Sequence, residues 1–284
     1  MSSSLQYAAR SRIHYYMSAP GSTLQPICLI TGASSGIGAA LAHEFASHGH
    51  ALVLTARREP ELNALADAIA AKSHARPRVI AADLGQPEGV AHLAAALQEA
   101  GLEVSILVNN AGFGLLGDVA QLDPAKQLAI VDLNNRALTD LTLRFIPGIK
   151  RHKGGILNVA SIAGFMPGPG MAVYHASKAY VVSLTEALHE ELKTEGVKVC
   201  ALCPGPVPTE FNDRAGMPDD YFPQALSRTA SRVAREGYEG FMAGHRIVVP
   251  GGPNRIATLL PRLLPRGLVL GYLGWRWWRA RRRG

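Results

Sequence analysis

Short apolar runs and helical segments alternate along most of this chain. Residues 27–30, 51–55, 79–82, 106–108, 155–160, 197–202 and 246–249 are such runs, largely Ile, Leu, Val and Ala, and most are bounded by turn residues. Runs without an every-second-residue polar position fit strands buried on both faces. Between them lie segments with helical spacing, such as 39–46 and the one carrying Leu62, Leu65 and Ile69. Strands alternating with helices predict right-handed βαβ crossovers and one parallel sheet of about seven strands, covered on both sides. The expected architecture is a doubly wound α/β fold in a single domain over residues 26–250, and no fixed-period repeat interrupts it.

The first strand breaks into Thr31-Gly32-Ala33-Ser34-Ser35-Gly36-Ile37-Gly38 and a helix follows. Glycines permit a tight turn and close backbone approach to a phosphate, and a helix N-terminus directs free N–H groups and partial positive charge at it. The spacing Gly-x-x-x-Gly-x-Gly differs from the commonest dinucleotide fingerprint, and a glycine-rich loop without a ligand is the bland alternative. The second strand ends in Ala56-Arg57-Arg58 with no acid. A carboxylate there would suit the ribose 2′-OH of NAD(H), whereas arginine suits the 2′-phosphate of NADP(H). NADP(H) is therefore preferred, with NAD(H) possible. Arg57 is the better placed and Arg58 an accessory, against the alternative of two solvated arginines opening a helix. Asp83-Leu84 and Asn109-Asn110-Ala111-Gly112 close the third and fourth strands, on the edge where open α/β sheets bind ligands. Asn and Gly also end strands for local turn reasons.

Ser161 stands at the end of the fifth strand, and beyond a Gly/Pro-rich stretch (164–170) comes Tyr174-His175-Ala176-Ser177-Lys178. Four positions apart, Tyr174 and Lys178 share one helical face. A free phenol titrates near ~10, too high for acid–base work at neutral pH, and a nearby ammonium lowers that value. Tyr174 could then exchange a proton with a carbonyl oxygen or an alcohol, with Ser161 holding the same oxygen. A surface Tyr/Lys pair is the alternative, and His175 points off their face and has no expected role.

In this order and at these spacings, the glycine segment 31–38, Asp83, Asn109-Asn110-Ala111-Gly112, Ser161, Tyr174-x-x-x-Lys178 and Pro204-Gly205 resemble the short-chain dehydrogenase/reductase family. The likeness covers about residues 26–250 and implies a Rossmann-like fold and NAD(P)-dependent hydride transfer. It implies that Tyr174 is the general acid/base. Lys178 would bind the nicotinamide ribose and lower the tyrosine pKa, Ser161 would position the substrate oxygen, and Asp83 would contact the adenine. Asn110 would lie beside the cofactor. The remaining contacts carried over are Gly32, Ser34, Ser35, Gly36, Ile37, Gly38, Leu84, Ala111, Gly112, Pro204, Gly205, Val207 and Thr209. The family also uses an asparagine after the fourth strand to support a water. Asn134 fits that place better, and Asn135 is the alternate. Ser35 stands where some NADP-dependent relatives carry a basic residue, so the NADP expectation rests on Arg57 and Arg58. Relatives commonly pair through the helices near 125–149 and 173–192, which implies a homodimer or homotetramer.

Charge separates the last segment from the rest. No acid follows Glu239, yet nine arginines do, against a net charge of +7 for the whole chain. Residues 251–284 form a basic tail with Trp275, Trp277 and Trp278 beside Arg276 and Arg279. Its apolar stretch is shorter than the ~20 residues that cross a bilayer. Tryptophan beside arginine suits a membrane interface, so 259–283 is expected to make peripheral membrane contact. The alternatives are a disordered basic terminus, or an arm over the substrate cleft or a neighbouring subunit. No nucleic-acid partner is expected, since an arginine run alone is weak support for one.

Residues 1–25 lack an apolar signal core and are expected to be a disordered leader, which with reduced-type cysteine usage suggests a cytoplasmic protein, peripheral at most to the inner face of a membrane. Cys200 and Cys203, three apart on a strand, point to opposite faces and are core residues; no metal site is expected. Met217, Tyr221 and Phe222, with Phe165 and Met166, suggest an apolar pocket and hence a small apolar ketone, aldehyde or alcohol as substrate. From a different class, a catalytically idle NADP-binding sensor or scaffold at a membrane surface remains the alternative.

Overall fold

The structure is a computed structural model that describes residues 24–281 apart from 73, 219 and 220. The leader expected over 1–25 lies outside the described residues except for its last two. Seven strands, β1 (Gln25–Thr31), β2 (Leu52–Thr55), β3 (Arg78–Val79), β4 (Leu102–Asn109), β5 (Gly155–Val159), β6 (Lys198–Leu202) and β7 (Ile247–Val248), form one sheet. All are parallel, in the order β3-β2-β1-β4-β5-β6-β7. The order reverses between β1 and β4, and that switch point opens a crevice at the strand C-termini.

Helices α1 (Gly36–Ser47), α2 (Glu59–Ala70), α3 (Pro87–Glu99), α4 (Pro124–Val131), α5 (Leu138–Arg151), α6 (Ala172–Leu192), α7 (Glu210–Ala215) and α8 (Ala230–Met242) connect them. Alternate residues of β1 explain why the strand is apolar throughout. Cys28 and Ile30 join a cluster with Phe45 of α1, Leu62 of α2 and Phe241 of α8. Ile27 and Leu29 join the opposite one, with Leu93 of α3, Leu141 of α5 and Leu188 of α6. Each fully buried Leu or Phe contributes about 1.5–3 kcal/mol. Cys200 and Cys203 fall in different clusters, as their offset requires, and all three thiols are buried and free.

Two strands differ from expectation. β4 begins four residues before the apolar run at 106–108, because partly exposed Glu103 and Ser105 mask its start. β3 is only two residues long, although Ile80 and Ala82 continue to donate to the carbonyls of Leu54 and Ala56. The tail is helical: α9 (Gly252–Leu263) and α10 (Arg266–Arg281) fold back over the C-terminal edge of the sheet. Leu264 takes extended geometry (φ −91°, ψ 146°), which the following Pro265 favours, and this separates the two helices. Of the tail's alternatives, this is the arm over the cleft. No helix among the described residues is long and apolar enough to cross a membrane.

Candidate active site

One cavity of about 1270 Å³ runs along the crevice from the glycine loop to the tail. At its first end Gly32 and Gly36 adopt positive φ (63° and 58°), a conformation that L side chains rarely adopt. A side chain on Gly32 would strike the Ala111 backbone at 2.7 Å. α1 starts at Gly36, earlier than its apolar spacing shows, so Ile37 and Gly38 lie in its first turn. Ser35 makes no capping bond to that turn. A helix start whose N–H groups receive no side-chain cap fits a pyrophosphate.

The loop is fixed from β4. Thr31 Oγ1 accepts from the N–H groups of Asn110 and Ala111 (both 3.0 Å) and donates to Val108 O. Asn110 Nδ2 donates to the carbonyls of Thr31 and Gly32. Expected beside a cofactor, Asn110 lines the cavity and gives its amide to the loop backbone.

Every residue expected at the cofactor lines this cavity except Gly38. Gly38 instead lets α1 pass the loop, since a Cβ there would lie 2.3 Å from Gly32 O. Arg57 is exposed at the end of β2. Arg58 donates to Ser34 Oγ (3.2 Å) and to Glu210 of α7 (3.0 Å), and also pairs with Glu61. An exposed guanidinium beside the loop fits an additional phosphate. Asp83 closes a tight turn by accepting from Gly85 N–H.

At the centre, Ser161 hydrogen-bonds the Tyr174 phenol and accepts from Ala163 N–H at 3.1 Å. Lys178 Nζ donates to Val159 O (2.8 Å) and stands 5.8 Å from the Tyr174 ring centre. Burial pushes the phenol up to about 12, and the Ser161 bond only partly offsets it. Burial likewise brings the Lys178 ammonium down to about 8. The expected lowering of Tyr174 by Lys178 is therefore absent in the free protein. Desolvation outweighs charge–charge attraction because the ammonium is itself buried and tied to a carbonyl.

Asn134 is buried and does not line the cavity. It sits where the helix between α4 and α5 widens into π-type turns (Asp132–Ala137), a deformation common at functional sites. Its amide accepts from Phe113 N–H and donates to Phe113 O and Ser177 Oγ. Asn135 donates to Ser177 O instead. Asn134 thus ties the chain after β4 to α6. A buried ladder, Thr142–Asn109–Asn158–Thr185, holds α5, β4, β5 and α6 together beneath it.

The other end is apolar. Met217, Tyr221, Phe222 and Met166 line it as expected, but Phe165 does not. Its ring packs with the cluster around Val182 and lies 5.2 Å from the Arg262 guanidinium. Met171, Phe211 and Leu226 line it too, as do Leu264, Leu268, Val269, Tyr272, Leu273 and Trp277 of the tail. None of these was expected by residue as pocket lining; for the tail, the only signals were its apolar and tryptophan content and the alternative of an arm over the cleft. Trp277 lies directly on Gly170, where a Cβ would meet its ring at 2.4 Å. His175, given no role from sequence, donates from Nδ1 to Met166 O (2.8 Å) and anchors the Gly/Pro-rich loop.

Comparison with known proteins follows the same outline. The family profile described as short chain dehydrogenase matches residues 26–218. The chain is 38% identical over 191 residues to sulfoacetaldehyde reductase 2 of Chromohalobacter salexigens, covering 66% of this chain and 75% of that one. It is 29% identical over 258 residues to very-long-chain 3-oxoacyl-CoA reductase of Mus musculus, covering 89% and 81%. Among solved structures, the short-chain dehydrogenase from Sphingobium yanoikuyae in complex with NADPH superposes with a TM-score of 0.74 at 35% identity, covering 84% and 93%.

Proposed function

The chain belongs to the short-chain dehydrogenase/reductase family of NAD(P)-dependent oxidoreductases, and on that premise we propose that it is an NADP(H)-dependent reductase of apolar ketones or aldehydes, with Tyr174 as general acid. The observation that carries this reading is the buried Ser161–Tyr174–Lys178 group, midway along one cavity between a glycine cradle and an apolar end.

The glycine-loop amides would hold the pyrophosphate and Arg57 the 2′-phosphate, with Arg58 beside it. When bound, the reduced nicotinamide supplies the hydride. Ser161 Oγ orients the carbonyl oxygen, and Tyr174 delivers a proton to it as negative charge develops. A phenol held near 12 stays protonated at neutral pH, as an acid in reduction must be. Lys178 stabilises the resulting phenolate, and Asn134 keeps the wall beside it in place. The NADPH-bound relative supports the choice of cofactor. The Met, Phe and Tyr lining supports an apolar substrate, in agreement with the acyl reductase and in contrast to the sulfoacetaldehyde enzyme.

A homo-oligomer fits the exposed Leu128, Val131, Leu143 and Tyr180 on α4, α5 and α6. Fluorescence titration with NADPH and NADH, then turnover of an apolar ketone panel, tests the reading. Tight NADPH binding with turnover is expected. Binding without turnover on any carbonyl would favour the idle sensor, and no binding of either nucleotide would overturn both.

A further inference from the structure

The described residues expose large apolar side chains unevenly. Of sixteen that stand clearly in solvent, ten lie between Ile256 and Trp278. On α9, Ile256, Leu259 and Leu263 form one outward stripe at three- and four-residue spacing, with Leu263 79% exposed. Arg255, Arg262 and Arg266 flank it. On α10, Val269, Leu273 and Trp277 are the more covered residues of the cavity wall, while Leu268, Tyr272 and Trp275 stand exposed at its rim, in a row that ends at Arg279. The Arg279 guanidinium lies 5.2 Å from the Trp275 ring centre, and Tyr272 stacks on Trp275. The tail holds no acid to balance these cations.

An apolar ridge rimmed by uncompensated arginine on otherwise folded protein is not a stable water-facing surface. The charge decides the occupant. A second copy would bring arginine against arginine, whereas an anionic bilayer offers hydrocarbon to the stripe, an interface to the indoles and phosphates to the cations. We propose that the outer face of α9 and α10 docks this protein on anionic membranes, with the apolar mouth of the active-site cavity against the lipid. The docking stands on this surface alone; the corollary that substrate is drawn from the bilayer rests on the reductase reading above.

The molecule carries its own probe, since its three tryptophans, Trp275, Trp277 and Trp278, are all in α10. Full-length protein is mixed with vesicles of phosphatidylcholine alone or with added phosphatidylserine. Co-sedimentation at least about tenfold stronger on the anionic vesicles is expected, from a few arginines near the surface. It should be reversed by salt and accompanied by a blue shift of tryptophan emission. Joint substitution of Ile256, Leu259 and Leu263 by Ser, at positions off the cavity wall, should abolish it while NADPH affinity and turnover of a water-soluble ketone persist. The proposal is overturned by equal binding to both vesicles, by no binding, or by binding that survives the triple substitution. It is equally overturned if that substitution instead splits an oligomer. Vesicle binding without NADPH binding would sink the reductase reading and leave the docking intact.

Discussion

The two ends of the cavity are built from different materials. The glycine-loop end is backbone: Thr31, Asn110 and the glycines exist there to place main-chain groups within hydrogen-bond distance of one another. The far end is side chain, with Met, Leu, Phe, Tyr and Trp from four separate segments closing around empty volume. A backbone site tolerates few substitutions, because positive φ and close approach admit one residue type. A side-chain site tolerates many, because any apolar group of similar volume fills it. The contrast predicts abrupt losses at one end and graded ones at the other.

The largest effect belongs at the junction. Tyr174→Phe should lower turnover by roughly 10²–10⁴-fold with NADPH affinity unchanged, read by steady-state kinetics and fluorescence titration. Loss of cofactor binding instead would mean that the tyrosine is structural.

At the backbone end, Gly38→Ala should cost about 1–3 kcal/mol of NADPH affinity, or roughly 5–150-fold, as the new methyl displaces the loop. Arg57→Ala should weaken NADPH about tenfold and spare NADH. Equal losses for both would remove the phosphate assignment.

The buried ammonium gives a pH signature. With Lys178 near 8, reduction should hold level below that pH and fall by about tenfold per unit above it. Stability moves the other way. The unfolded chain binds the proton up to 10.5 while the folded one releases it from about 8, so this group makes the protein more stable as pH rises between those values. The Tyr174 contribution, of opposite sign, starts only above 10. Thermal unfolding of the native protein and Lys178→Met across pH 7–10 measures it, and the variant should lose the rise.

The smallest effect is expected at the apolar end. Leu273→Ala should raise KM a few-fold for bulky ketones and leave small ones unchanged, because the cavity has other walls. A uniform fall in kcat would show that the tail does more than enclose.

The same division decides what could be read from sequence. The glycine segment, Asn110, Ser161, Tyr174 and Lys178 were legible because each place demands a particular residue at a particular spacing. Strands β1, β2 and β5 were legible because burial on both faces leaves an apolar run, while the polar start of β4 left only half of one. Phe165 was misplaced because an aromatic after Ser161 can turn either way, and Arg262, almost a hundred residues on, decides which. Leu273 and Trp277 were not expected in the pocket, and Trp277 was read as a membrane-facing residue, because a wall needs only volume. The lowered Tyr174 pKa failed because spacing along a helix carries no account of desolvation.

Arg58 joins the two ends. It is shared by Ser34 of the glycine loop and Glu210 at the start of α7, whose neighbour Phe211 lines the apolar end of the cavity. The guanidinium holds both partners at once, at 3.2 and 3.0 Å, so an anion bound at Ser34 would draw on the same charge that holds Glu210. Thermodynamic reciprocity then sets the rule: whatever factor the first ligand changes in the affinity of the second, the second returns to the first.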